Sequence, residues 1–148
     1  MTIRLAINGF GRIGRNVFRA LIENPREGLE MVAVNTIPSL ADSAYLLEFD
    51  SVHGRLPIPV STNGNIMEVG SHKVKFLSER DPENLDWSAL NIDVVLECTG
   101  IFTDAEKASV HLAGGAKKVL VSAPSKGADL TVVYGVNHTL ISSEHKII

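Results

Sequence analysis

The sequence predicts an α/β fold built on a doubly wound, mostly parallel sheet with a small antiparallel insertion. Three features carry that expectation. Apolar runs of strand length alternate with segments of helical periodicity. The first run passes through a glycine-rich turn, Asn8-Gly9-Phe10-Gly11-Arg12-Ile13-Gly14, straight into a helix opening. Between Leu56 and Leu77 the pattern changes to short alternating segments separated by turn residues.

Ile3 to Ile7 reads as the first strand, and Ile13, Val17, Ala20 and Leu21 form an apolar stripe for the helix that follows. Asn24-Pro25-Arg26-Glu27-Gly28 is a turn, and Met31 to Asn35 is a second buried strand that completes a βαβ unit. Ser39 and Asp42 have capping-box spacing for a helix through Ala44, Leu46 and Leu47, after which Asp50 to Arg55 is a polar loop. In the insertion, Asn63-Gly64-Asn65 and Gly70-Ser71 mark hairpin turns, with alternation around Ile66, Val74 and Phe76. Parallel winding resumes at Asp93 to Glu97. Thr103 and Glu106 cap a helix that stops at Gly114-Gly115, and Lys118 to Ser122 is the next strand. Leu130 to Val136 and the run from Glu144 to Ile148 read as two more.

Composition narrows the class. The 148 residues suit one domain spanning 1–148, with 45% hydrophobic and 21% charged residues and a net charge of −3. No Lys/Arg run suits a phosphate backbone, so nucleic acid is not an expected partner. Arg4 interrupts the N-terminal apolar run and no stretch reaches spanning length, so neither a signal peptide nor a membrane is expected. The single cysteine, Cys98, fits a reducing compartment, and a cytoplasmic location is expected. His53, His72, His111, His138 and His145 lack close ligand spacing, so no metal site is expected.

The glycine turn carries the chemistry. Gly9 can leave the strand sharply, Gly11 has no Cβ to hinder a pyrophosphate, and Gly14 lets the helix pack close to the strand. Amides at the helix start then face the phosphates, where the helix dipole favours negative charge. Placed between a strand and a helix, the pattern is a Rossmann dinucleotide-binding fingerprint. Thr99, Gly100 and Ser122 end strands at the carboxyl edge, where ligands bind in such sheets.

The residues resemble one family. Ala6-Ile7-Asn8-Gly9-Phe10-Gly11-Arg12-Ile13-Gly14-Arg15 is similar to the N-terminus of glyceraldehyde-3-phosphate dehydrogenases and of the related erythrose-4-phosphate dehydrogenases. Asp50-Ser51-Val52-His53-Gly54-Arg55, Glu79-Arg80-Asp81-Pro82, Glu97-Cys98-Thr99-Gly100, Gly114-Gly115-Ala116-Lys117-Lys118-Val119, Ser122-Ala123-Pro124-Ser125 and Val133-Tyr134-Gly135-Val136-Asn137 follow in the family's order. The resemblance implies an NAD-dependent enzyme that oxidises and phosphorylates an aldehyde phosphate through a cysteine thiolate and a histidine base. It further implies that both catalytic groups lie beyond Ile148. No catalytic residue is therefore expected here, and the chain is expected to lack the catalytic domain and to be the inactive cofactor half of a parent homotetramer.

The same resemblance distributes the cofactor contacts. Asn8, Gly9, Gly11, Arg12, Ile13 and Gly14 fall at the pyrophosphate turn, Asn35, Thr36 and Arg80 near the adenosine, and Thr99, Gly100 and Ser122 near the nicotinamide and its ribose. Cys98 closes a strongly apolar strand and reads as a small hydrophobe rather than a nucleophile. His53 reads as a packing or subunit-contact residue. Thr36 departs from the family, which commonly places an acid after Asn35 to bond the adenosine ribose and repel a 2′-phosphate. Losing that charge-assisted bond weakens NAD by about 1 to 2 kcal/mol and narrows discrimination against NADP. Glyceraldehyde 3-phosphate is the expected substrate of the parent enzyme. Erythrose 4-phosphate and a stand-alone, non-catalytic NAD-binding module stay open as alternatives. The bare docking surface that the resemblance implies for a C-terminal helix leads to the expectation that the chain associates or is less stable than the intact enzyme.

Overall fold

The computed structural model describes residues 2–148. Strand β1 (Ile3–Asn8) leads into α1 (Arg12–Glu23) and then β2 (Leu29–Asn35), which pairs parallel to β1 with Asn8 opposite Asn35. Helix α2 (Leu40–Glu48) begins where its capping spacing predicts, with Ser39 Oγ accepting from the Asp42 amide at 3.1 Å. A two-residue ladder of β3 (Phe49–Asp50) with β4 (Gly54–Arg55) closes the polar loop. Strands β5 (Val60–Asn63), β6 (Ile66–Val69) and β7 (His72–Leu77) form the insertion. Their mutual pairings are antiparallel, but β7 runs parallel to β2 and so joins the insertion to the main sheet. On the other side of β1 lie β8 (Val94–Glu97) and β9 (Lys118–Val121), both parallel.

The seven-stranded order β5-β6-β7-β2-β1-β8-β9 puts β1 in the middle of the five parallel strands and gathers their carboxyl ends at one edge. Each face of the sheet is covered, as a parallel sheet requires. On one face Phe18, Leu21 and Ile22 of α1 and Leu47 of α2 pack on Ile7, Met31 and Val34. On the other, Leu85, Trp87, Ile92 and Ala116 cover Ala6, Ala33 and Val95. Burying each of the larger side chains contributes about 1.5 to 3 kcal/mol.

Four sequence expectations are corrected. The buried face of α1 is Gly14, Phe18, Leu21 and Ile22, while Ile13 is 50% exposed and Val17 is also open. Gly14 must abut β1, and residues four and seven or eight further on share its side of the helix. Before α3 (Ala105–Ala108) and α4 (Val110–Ala113) the cap is Asp104, not Thr103, with the Asp104 carboxylate accepting from the Lys107 amide at 2.9 Å. Leu130 to Val136 forms no strand. The outer edge of β9 is already taken by Lys146 and Ile148, whose carbonyls accept from Val119 and Val121. Without a partner, Val133 to Asn137 folds into a turn closed by the Asn137 side chain at 2.7 Å. The last residues thus make a parallel bridge beside β9 rather than a full strand.

Candidate functional site

The glycine turn divides its tasks in space. Gly9 has φ +93°, and a Cβ there would meet the Thr99 amide nitrogen at 2.6 Å, so glycine is required both for the bend and for the approach of the β8 turn. A Cβ on Gly14 would sit 2.2 Å from the Gly9 carbonyl oxygen, which fixes the close packing of α1 on β1. At Gly11, by contrast, a Cβ would meet nothing within 4 Å. The empty space lies at the N-cap of α1, where no side chain caps the helix and no acid occupies the first turn. The amides opening α1 are therefore free to receive an anion. A dinucleotide pyrophosphate fits that cradle.

Charged groups brace the turn from behind. Arg15 donates to the Phe10 carbonyl at 3.0 Å, and Arg12 reaches Asp50 and Ser51 at 3.3 and 3.2 Å. The Asp50 carboxyl is held down to about 2 by the amides of His53 and Val52, with Arg12 adding to the effect against the opposing cost of burial. Arg19 is buried, pairs with Glu23, and donates to the carbonyls of Leu47, His53 and Gly54. This arginine pins the Asp50 to Arg55 loop onto α1.

The remaining candidates sit along the same edge. Asn8 and Asn35 are 3% and 4% exposed, and their side chains bond to each other, to Glu97 and to the Glu79 backbone. They hold neighbouring loops together, so what they present at the edge is backbone. Thr36 follows β2, is buried at 9% exposure and donates its amide to the Leu77 carbonyl at 3.1 Å. Arg80 is exposed. Thr99 bonds to Glu97 through both amide and hydroxyl and accepts from the Ile101 amide. Gly100 and Ser122 are exposed at the ends of β8 and β9. Burial pushes the Cys98 thiol up, only partly offset by a hydrogen bond with Ser122, which disfavours the nucleophilic thiolate.

Comparison with known proteins settles which family built this edge. A family model described as "Glyceraldehyde 3-phosphate dehydrogenase, NAD binding domain" matches residues 3–105. The chain belongs to that family. Glyceraldehyde-3-phosphate dehydrogenase of Xanthobacter flavus is 53% identical over 148 residues, covering all of this chain and 44% of the relative. That of Zymomonas mobilis is 52% identical over 149 residues, with the same coverage, and that of Geobacillus stearothermophilus is 53% identical over 137 residues, covering 93% of this chain and 40% of the relative. The chain therefore spans less than half the length of these relatives. Their names favour the glyceraldehyde over the erythrose reading.

Sequence reasoning missed Glu97, His111 and Trp87 as parts of the edge. Burial would raise the Glu97 carboxyl, but hydrogen bonds from His111, Thr99 and Asn8 outweigh it and hold the group below the usual range. The available signal was an acid ending an otherwise apolar strand, a residue type rarely buried without partners. No helix is long and apolar enough to cross a membrane among the described residues.

Proposed function

We propose that the chain, as one domain over residues 1–148, binds NAD across the carboxyl edge and forms the cofactor half of a cytoplasmic, homotetrameric glyceraldehyde-3-phosphate dehydrogenase. The observation that carries the proposal is the glycine turn, where Gly9 and Gly14 are closed by backbone and Gly11 alone faces open space before an uncapped helix. The amides of Arg12, Ile13 and Gly14 receive the pyrophosphate. Asn35, Thr36 and Arg80 border the adenosine, and Thr99, Gly100 and Ser122 border the nicotinamide and its ribose. NAD, when bound, supplies the hydride acceptor. The thiolate and the histidine base belong to a catalytic domain outside this chain.

Calorimetric titration with NAD, run beside an assay of NADH formation from glyceraldehyde 3-phosphate and phosphate, tests this reading. Binding without turnover is expected. A folded chain that releases no heat with NAD overturns the cofactor site, and NADH production overturns the division between domains.

Thr36 adds a specificity prediction. Without an acid after β2, the ribose loses a charge-assisted acceptor and a 2′-phosphate loses its repulsion. Thr36→Asp is expected to raise the preference for NAD over NADP about tenfold, as one bond of about 1 to 2 kcal/mol implies. Equal dissociation-constant ratios for the two chains contradict that account.

A further inference from the structure

A buried carboxylate ties together the loops that surround the cofactor edge. Glu97, the last residue of β8, is 1% exposed, and four donors converge on its two oxygens. Oε2 accepts from Asn8 Nδ2 at 2.7 Å and from His111 Nε2 at 2.8 Å. Oε1 accepts from the Thr99 amide at 2.8 Å and from the Thr99 hydroxyl. Trp87 Nε1 donates to His111 Nδ1 at 3.1 Å, which leaves the ring proton on Nε2 and aims it at the carboxylate. Beyond Asn8 the bonds continue through Asn35 to the carbonyl and amide of Glu79, at 2.9 and 2.8 Å. The turns after β1, β2, β7 and β8 thus share one polar core, entered from α4 by His111.

Neither Glu97 nor His111 reaches the open side of the edge, for His111 is 0% exposed. A buried charge is a poor source of net stability, and apolar side chains of similar volume would fill the same space at least as well. What the charge supplies is direction, because two oxygens set the places of two turns at once. We propose that Glu97, oriented by His111 and Trp87, is a positioning residue that holds the Thr99–Ile101 turn in its NAD-binding geometry before the cofactor arrives. This role rests on the reading of the edge as an NAD site.

Glu97→Gln keeps the shape and removes one acceptor. Whichever way the amide sits, an NH2 group faces either His111 and Asn8 or the Thr99 amide and hydroxyl. Wild type and variant are titrated with NAD and with AMP while the emission of Trp87, the sole tryptophan, is followed. The expected result is NAD affinity about tenfold weaker and AMP affinity changed less than about threefold, since AMP does not span the Thr99 turn. A shifted Trp87 emission is expected with it. Unchanged NAD affinity in the folded variant overturns the role, as does an equal loss for NAD and AMP, which marks a general structural defect. A folded wild type that binds neither ligand removes the NAD site itself and this role with it. Should Glu97→Gln not fold, amide exchange in the wild type decides. A Thr99 amide protected well beyond the exposed Tyr134 amide, both without and with NAD, supports the role. Exchange of Thr99 at the Tyr134 rate until NAD is added overturns it.

Discussion

Two glycines of one turn make opposite predictions. Gly14→Ala forces a Cβ against the Gly9 carbonyl oxygen, a backbone atom that cannot swing away, so the chain should lose roughly 1 to 3 kcal/mol in urea unfolding. Gly11→Ala meets open space in an extended conformation, so stability should stay within about 0.5 kcal/mol while NAD weakens. Equal stability losses at the two positions contradict the assignment. Asp50 supplies a pH test. Its carboxyl is held at about 2 against 3.8 for the free group, so its contribution is complete above about pH 4 and is lost as the pH falls towards 2. Asp50→Asn should flatten part of the decline of the urea midpoint over that window, and identical slopes contradict the pairing. The glycine tasks were legible because spacing alone encodes them. Glu97 was not, because its partners Asn8 and His111 lie 89 and 14 residues away in sequence.

Helix starts show how far local chemistry reaches. Ser39 caps α2 as its spacing implies, and Ser39→Ala should cost about 1 kcal/mol in stability while leaving NAD affinity unchanged. A loss of affinity in that variant would place α2 in the site. At α3 the same spacing rule picked the neighbour. The Thr103 backbone is drawn towards Lys126, whose amide it accepts at 3.2 Å, and the Asp104 carboxylate takes the cap. The stripe on α1 was misplaced by one residue because periodicity reports an apolar face without saying which side the strand occupies. At Leu130 to Val136 a strand-like composition lost to topology. An edge can be filled once, and Lys146 to Ile148 fill it.

For the whole molecule, the doubly wound, mostly parallel sheet with its antiparallel insertion was legible in patterns that the sequence displays openly, and the family match over residues 3–105 agrees with that fold class. Shape outside the sheet was harder to read, since it depends on which apolar residues find cover. Tyr134 is 88% exposed, and Val133, Val136, Leu140 and Ile141 are exposed near it. Such a patch should drive concentration-dependent association in sedimentation, reduced by Tyr134→Ser with Val136→Ser; a monomer at every concentration contradicts this. The central claim is that NAD is gripped at the glycine turn. Its most direct test is calorimetric titration of wild type and Gly11→Ala with NAD, with folding of both checked by circular dichroism. One NAD site in the wild type, clearly weakened in an equally folded variant, is the predicted result, and equal affinity in the two chains would contradict it.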